Sequence, residues 1–167
     1  MQNQELVDTH DVYEILKDGN FHNSVEISTQ LGIDIEKSRS LLMRVFTREK
    51  NVEKVVDRNT NTVYYRLKIE SSPINWDELM INLTSDMLSV KILEKIYKEN
   101  IVLIPILSKH LAHFHVTQRT LYNKAKKLEN LGLIDIKSSN PKYLFPIKNI
   151  EENTLLLIKL ITARWEK

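Results

Sequence analysis

One stretch limits the fold more than any other: Ile106 to Ile136, ILSKHLAHFHVTQRTLYNKAKKLENLGLIDI. Leu107, Leu111 and Ala112 give a first helix an apolar face at helical spacing. His113–Val116 leaves room only for a turn. Thr117 is placed to cap a second helix, its hydroxyl accepting a backbone N–H that would otherwise be orphaned. Leu121, Ala125 and Leu128 then repeat at intervals of four and three, one face of that helix. Gly132 closes it, because glycine takes the left-handed conformation past a helix end without steric cost. Leu133, Ile134 and Ile136 open a strand.

The other face of the second helix carries Gln118, Arg119, Tyr122, Asn123, Lys126 and Lys127, with only Glu129 adding negative charge nearby. Arg, Asn and Gln pair with base edges in a major groove, and Lys neutralises phosphate. Leu111-Ala112, Val116-Thr117, Thr120-Leu121, Ala125, Leu128-Glu129 and Gly132-Leu133-Ile134 together make a recurrent pattern. In it the stretch resembles the helix-turn-helix of winged-helix transcription regulators of the MarR and ArsR kind. The resemblance implies a three-helix domain with a β-hairpin wing, and double-stranded DNA as the partner. Winged helices also serve as protein-docking modules.

The first half repeats the architecture more loosely. Asp8 or Thr9 caps a helix to about Lys17, with Val12, Ile15 and Leu16 inward and Gly19 closing it. Ser24 caps a short helix to Leu31, ended by Gly32. Asp34 caps a third, with Ser38, Leu41, Leu42, Val45 and Phe46 inside. Val52–Val56 and Val63–Leu67 then form a hairpin about the polar turn Arg58-Asn59-Thr60-Asn61. Strand alternation puts one of Tyr64 and Tyr65 inside and the other on the surface. In the third helix, Lys37 stands where the family usually has Thr, and Ser38 where it has Val or Leu. Glu36 occupies a groove-facing position, and a carboxylate repels phosphate. This helix therefore contacts either DNA or protein.

The expected fold class is mainly α with small β-hairpin wings (α+β): two consecutive winged-helix domains and a C-terminal helix. The first domain spans 1–69. Residues 70–84 are a linker, broken by Pro73, with a short bridging helix from Trp76 to Leu83. The second domain spans 85–149, opened by a helix that Ser85 or Ser89 caps. Its strands Leu133–Ile136 and Lys142–Ile147 pair across Ser138-Ser139-Asn140-Pro141. Residues 150–167 are the last helix. The expected DNA-binding set is Thr117, Gln118, Arg119, Tyr122, Asn123, Lys126 and Lys127 on the second reading helix, and Lys137 and Lys142 on its wing. Lys37, Arg39, Arg44 and Arg58 are their counterparts in the first domain.

Charge divides along the same line. Residues 1–72 carry 10 Lys+Arg against 12 Asp+Glu, and residues 73–167 carry 14 against 10, so the second half is the better match for an anionic partner. The chain has no cysteine, hence neither a disulfide nor a thiolate nucleophile. Its three glycines leave no glycine-rich phosphate loop, which argues against a nucleotide-driven enzyme. Asp77-Glu78 and Glu151-Glu152 are explained by helix starts, where the dipole favours acids. His110, His113 and His115 lie near a helix C-terminus, where the dipole favours histidine, with no cysteine or nearby acid to complete a metal site. The expectation is a protein that is not an enzyme and needs no cofactor or metal. The opening MQNQELVDTHD has neither the basic nor the apolar region of a secretory signal, and no run is long enough to span a membrane, so a cytoplasmic setting is expected.

The last helix, ENTLLLIKLITARWEK, is apolar nearly all round and must be buried on most sides. Leu156, Leu160 and Ala163 line one side at four and three spacing, which suits pairing with a second copy. The sequence thus reads as a homodimeric, sequence-specific DNA-binding regulator of transcription. The alternatives are a tandem winged-helix protein scaffold and a plasmid-type replication initiator.

Overall fold

The computed structural model describes residues 6–68, 73–137 and 141–167. The chain is mainly helical and divides into two compact units, 1–70 and 71–167, each holding one three-stranded antiparallel sheet. Among the described residues, no helix is long and apolar enough to cross a membrane.

The first unit runs α1 (Thr9–Leu16), β1 (His22–Asn23), α2 (Ser24–Leu31), α3 (Ile35–Arg48), β2 (Val52–Val56) and β3 (Val63–Leu67). Asp8 caps α1 by accepting from His10 N, and Asp34 caps α3 by accepting from Lys37 N. The cap of α2 is Asn23 and not Ser24: the Asn23 side chain accepts from the N–H groups of Val25 and Glu26, while Glu26 reaches back to the Asn23 N–H. This reciprocal arrangement satisfies three donors at once, which Ser24 inside the helix cannot do. Gly32 leaves α2 at φ +62°. Val12, Leu16, Ile27, Leu41, Leu42, Val45, Val52 and Tyr65 make the core, and Phe46 packs against it edge-on to the Tyr65 ring.

Strand alternation fails for the two tyrosines. Tyr64 and Tyr65 are both 5% exposed. Tyr65 faces the core, while Tyr64 shares the opposite face of β3 with Arg66, which is buried too. Arg66 is ion-paired with Glu53 directly across on β2, and its guanidinium lies 4.2 Å from the centre of the Phe21 ring. Both faces of this strand are covered, so the period-two rule no longer sorts inside from outside.

The second unit runs α4 (Trp76–Thr84), α5 (Met87–Glu99), β4 (Val102–Leu103), α6 (Ile104–His110), α7 (Gln118–Asn130), β5 (Ile134–Lys137), β6 (Tyr143–Pro146) and α8 (Glu151–Trp165). Helix α6 ends at His110, short of the Ala112 expected on its apolar face. Ala112 is exposed and opens one turn of 3-10 helix, Ala112–Phe114, which runs into the expected turn 113–116 and is followed by His115 in the left-handed conformation at φ +54°. Thr117 caps α7 by accepting from Thr120 N at 3.2 Å. Gly132 follows that helix at φ +76°. The turn joining β5 to β6 includes residues 138–140, which lie outside the described residues. Of the linker expected at 70–84, residues 70–72 are also outside them. Leu79 and Leu83 of α4 belong to the second unit's core.

The sheet orders are β1-β3-β2 and β4-β6-β5. In each unit a two-residue strand pairs with the last strand, which also pairs with the one before it. The short strands β1 and β4 carry no periodicity of their own, because two residues give no alternation to read. Tyr97 on α5 ties the second sheet down: its buried hydroxyl donates to Leu133 O at 2.7 Å and accepts from Ile147 N at 3.2 Å. Burial pushes its pKa up, so it stays a donor.

Candidate nucleic-acid interface

Helix α7 buries Leu121, Ala125 and Leu128 completely. At 100° per residue the opposite ridge is Arg119, Asn123, Lys126 and Asn130, all exposed. Gln118 and Lys127 are exposed beside it, as is Thr117 at its start. Tyr122 is half-buried and packs against the core, so only part of its ring surface is free for a partner. Asn130 was not among the residues expected from sequence, yet it continues the ridge one turn beyond Lys126. Its position at the helix end, next to Leu131 and Gly132, hides it from a motif read from the helix start. Lys137 on β5 and Lys142 just before β6 are half-buried.

Two lysines of α7 already have anionic partners. Lys126 donates to Glu129 at 2.7 Å, and that hydrogen bond raises its pKa. Lys124 reaches Asp86 at 2.8 Å. Asp86, and neither Ser85 nor Ser89, caps α5: its carboxylate accepts from the Ser89 N–H at 3.1 Å and from the Ser89 hydroxyl at 2.8 Å. A carboxylate serves here better than a serine because it caps α5 and anchors α7 through Lys124 together. Burial pushes the Asp86 pKa up, but the hydrogen bonds from Lys124 and Ser89 outweigh it and hold the carboxyl below its ordinary value.

A depressed folded-state pKa contributes stability that is complete above the unfolded carboxylate value and is lost as pH falls through the folded one. Asp86→Ala is therefore expected to cost about 1–3 kcal/mol at pH 7. The difference from the parent chain should fade below roughly pH 4. Both tryptophans, Trp76 and Trp165, lie in the second unit. Urea unfolding followed by tryptophan fluorescence at pH 7 and pH 3 reads the effect directly. An equal cost at both pH values would contradict it.

The first unit offers a matched comparison. Aligned on their caps, Asp34 and Thr117, α3 buries Ser38, Leu42 and Val45 where α7 buries Leu121, Ala125 and Leu128. The ridge of α3 that corresponds to Arg119, Asn123, Lys126 and Asn130 is Glu36, Ser40, Met43 and Thr47, all exposed. It contains no cation. Lys37, Arg39 and Arg44 lie on its flanks, and Arg39 is paired with Glu36 at 2.6 Å. Arg58 is exposed in the β2–β3 turn. Beside α3 is a groove of about 410 Å³ lined by Val25, Leu42, Met43 and Val63, with Arg39 and Lys54 at its edge.

His110, His113 and His115 are exposed, with the His113 ring against Phe114. Burial, then the neighbouring Lys95, lowers the His110 pKa. Among the described residues, no group of three His, Cys, Asp or Glu side chains gathers where a metal ion would be held. No protein-family model matches the chain, and no curated protein matches it.

Proposed function

We propose that this chain is a sequence-specific double-stranded DNA-binding protein, a regulator of transcription built from two winged helices and acting as a homodimer. Helix α7 enters the major groove, with Arg119 and Asn123 toward base edges. Lys126, Lys127 and the wing lysines Lys137 and Lys142 lie toward phosphates. The observation that carries this reading is the ridge Arg119–Asn123–Lys126–Asn130, exposed along its whole length on a helix whose other face is fully buried. Each side chain on it donates hydrogen bonds or carries positive charge, as a groove lined with acceptors and flanked by phosphates requires.

A second reading holds for the first unit. The ridge Glu36–Ser40–Met43–Thr47 has a carboxylate and an exposed methionine where a reading helix needs donors. We assign it to protein contact.

The test is a mobility shift of the full chain on random-sequence duplex across a salt series. Binding is expected at low salt and should fall with a log–log slope of about −0.9 for each phosphate neutralised. Absence of binding at both low and moderate salt would leave the scaffold reading in possession.

A further inference from the structure

We infer that the homodimer proposed above is held by an antiparallel pairing of α8 with its copy, the side chains of one filling the groove between α4 and α8 of the other. The inference rests on the homodimer reading and gives it a surface and a polarity. Helix α8 buries Thr154, Leu157, Ile158 and Ile161 in its own unit, and Trp165 donates its indole N–H to Thr84 O at 2.8 Å. Its other side stays in water. Leu155, Leu156 and Leu160 are 45%, 55% and 45% exposed, and Ala163 is exposed next to them. Ile81 on α4 is 72% exposed. Between the helices lies a groove of about 250 Å³, walled by Trp76, Asp77 and Met80 of α4 and by Asn153, Leu156 and Leu160 of α8. A leucine side chain from a second helix fits such a space, as a knob fits a hole.

Charge sets the direction. Glu152 stands exposed at the start of α8, and Arg164 and Lys167 stand exposed at and beyond its end. The apolar stripe Leu156–Leu160–Ala163 lies between them. A parallel copy would set Glu152 against Glu152 and Arg164 against Arg164. An antiparallel copy sets acid against base at both ends and opposes the two helix dipoles. Placing Leu156 opposite the partner's Leu160 fixes the two-fold midpoint at Ile158. Glu152 and Arg164 then lie six residues on either side of the midpoint, so each faces the other's counterpart. Asn153 meets Ala163 in the same register, small enough for close approach. A two-fold contact of this kind is self-complementary, as closed dimers require.

The experiment uses the full chain without DNA, so its result is independent of whether α7 reads DNA. The chain has no cysteine, so introduced ones are the only thiols. Asn153→Cys and Ala163→Cys chains, mixed and treated with a short bis-maleimide, are expected to cross-link to each other far more than either does to itself. Sedimentation should give a dimer mass at tens of micromolar. Leu160→Asp should weaken the dimer by roughly a hundredfold or more, since it replaces an apolar side chain at the centre of the seam with a carboxylate that must be desolvated there. Glu152→Arg and Arg164→Glu should each weaken it by about five- to tenfold, and the double variant should restore it. Circular dichroism checks that each variant is folded, as expected for changes at exposed positions. Self-linking of Ala163→Cys alone would mean a parallel pair and overturn the inference while leaving the homodimer. A monomeric mass would overturn both and leave DNA binding by α7 untouched; a dimer indifferent to Leu160→Asp would overturn the α8 pairing and leave the homodimer. Failure of the double charge reversal to restore the dimer would overturn the register.

Discussion

Ala125→Asp is expected to unfold the second unit or bring it close to unfolding. Ala125 is fully buried on α7, one turn after Leu121 and just before Leu128. It belongs to the cluster that joins α4, α5, α6, α7 and α8. A carboxylate there has no water and no cation to pair with on the buried face. The cost is about 3–5 kcal/mol, in the tail of single substitutions and a large fraction of a small unit's stability of roughly 5–15 kcal/mol. Burial raises the folded-state pKa of the new carboxyl. The penalty is therefore smallest where it is protonated in both states and grows as pH rises through the raised value. Tryptophan fluorescence on heating reports the second unit alone, through Trp76 and Trp165. A midpoint lower by about 15 °C or more is expected at pH 7. Lys127→Asp, on the exposed side of the same helix, should leave the midpoint within a few degrees. If Ala125→Asp melts like the parent chain, the helical register of α7 is wrong.

What sequence shows of this fold is set by the distance over which each determinant acts. The caps Asp8, Asp34 and Thr117 and the glycines Gly19, Gly32 and Gly132 act within one turn, and their residue types announce them. The stripe Leu121–Ala125–Leu128 is legible because one buried face repeats over about two turns. Asp86 was hidden because its advantage over Ser85 and Ser89 comes from Lys124, 38 residues away. The alternation expected of Tyr64 and Tyr65 fails because it assumes one bare face, and here Arg66, Glu53 and Phe21 make the second face buried as well. The spacing of Leu156, Leu160 and Ala163 marks a stripe on α8, but composition alone does not show that it stays exposed, since α8 is apolar on nearly every side. Only the packing of α4 and α5 decides which leucines remain in water. The candidate site divides in the same way. Arg119 and Asn123 follow from position along α7, whereas the engagement of Lys126 by Glu129 depends on side-chain placement.

Arg119 and Asn123 carry the sharpest consequence of the proposed function. Both are exposed on the outermost ridge of α7, four residues apart, near the end that Thr117 caps. Arginine reads guanine with two hydrogen bonds, and asparagine reads adenine in the same manner. Loss of either pair removes discrimination between bases, at about 1–3 kcal/mol for each. Arg119→Ala and Asn123→Ala are therefore expected to weaken the selected site about tenfold to a hundredfold, with random duplex affected much less by Asn123→Ala. Lys127→Ala should behave differently, weakening all sequences alike and reducing the salt slope by about one. Lys126 supplies an internal control, since Glu129 holds its ammonium at 2.7 Å. Glu129→Gln releases that charge toward phosphate, so binding should tighten and the salt slope should steepen. Site selection from a random library followed by titration at two salt concentrations measures all four variants. Binding and preference unchanged by Arg119→Ala and Asn123→Ala, and by both combined with Gln118→Ala, would mean that another surface reads the DNA, because these three are the exposed side chains near the capped end of α7 that can pair with base edges.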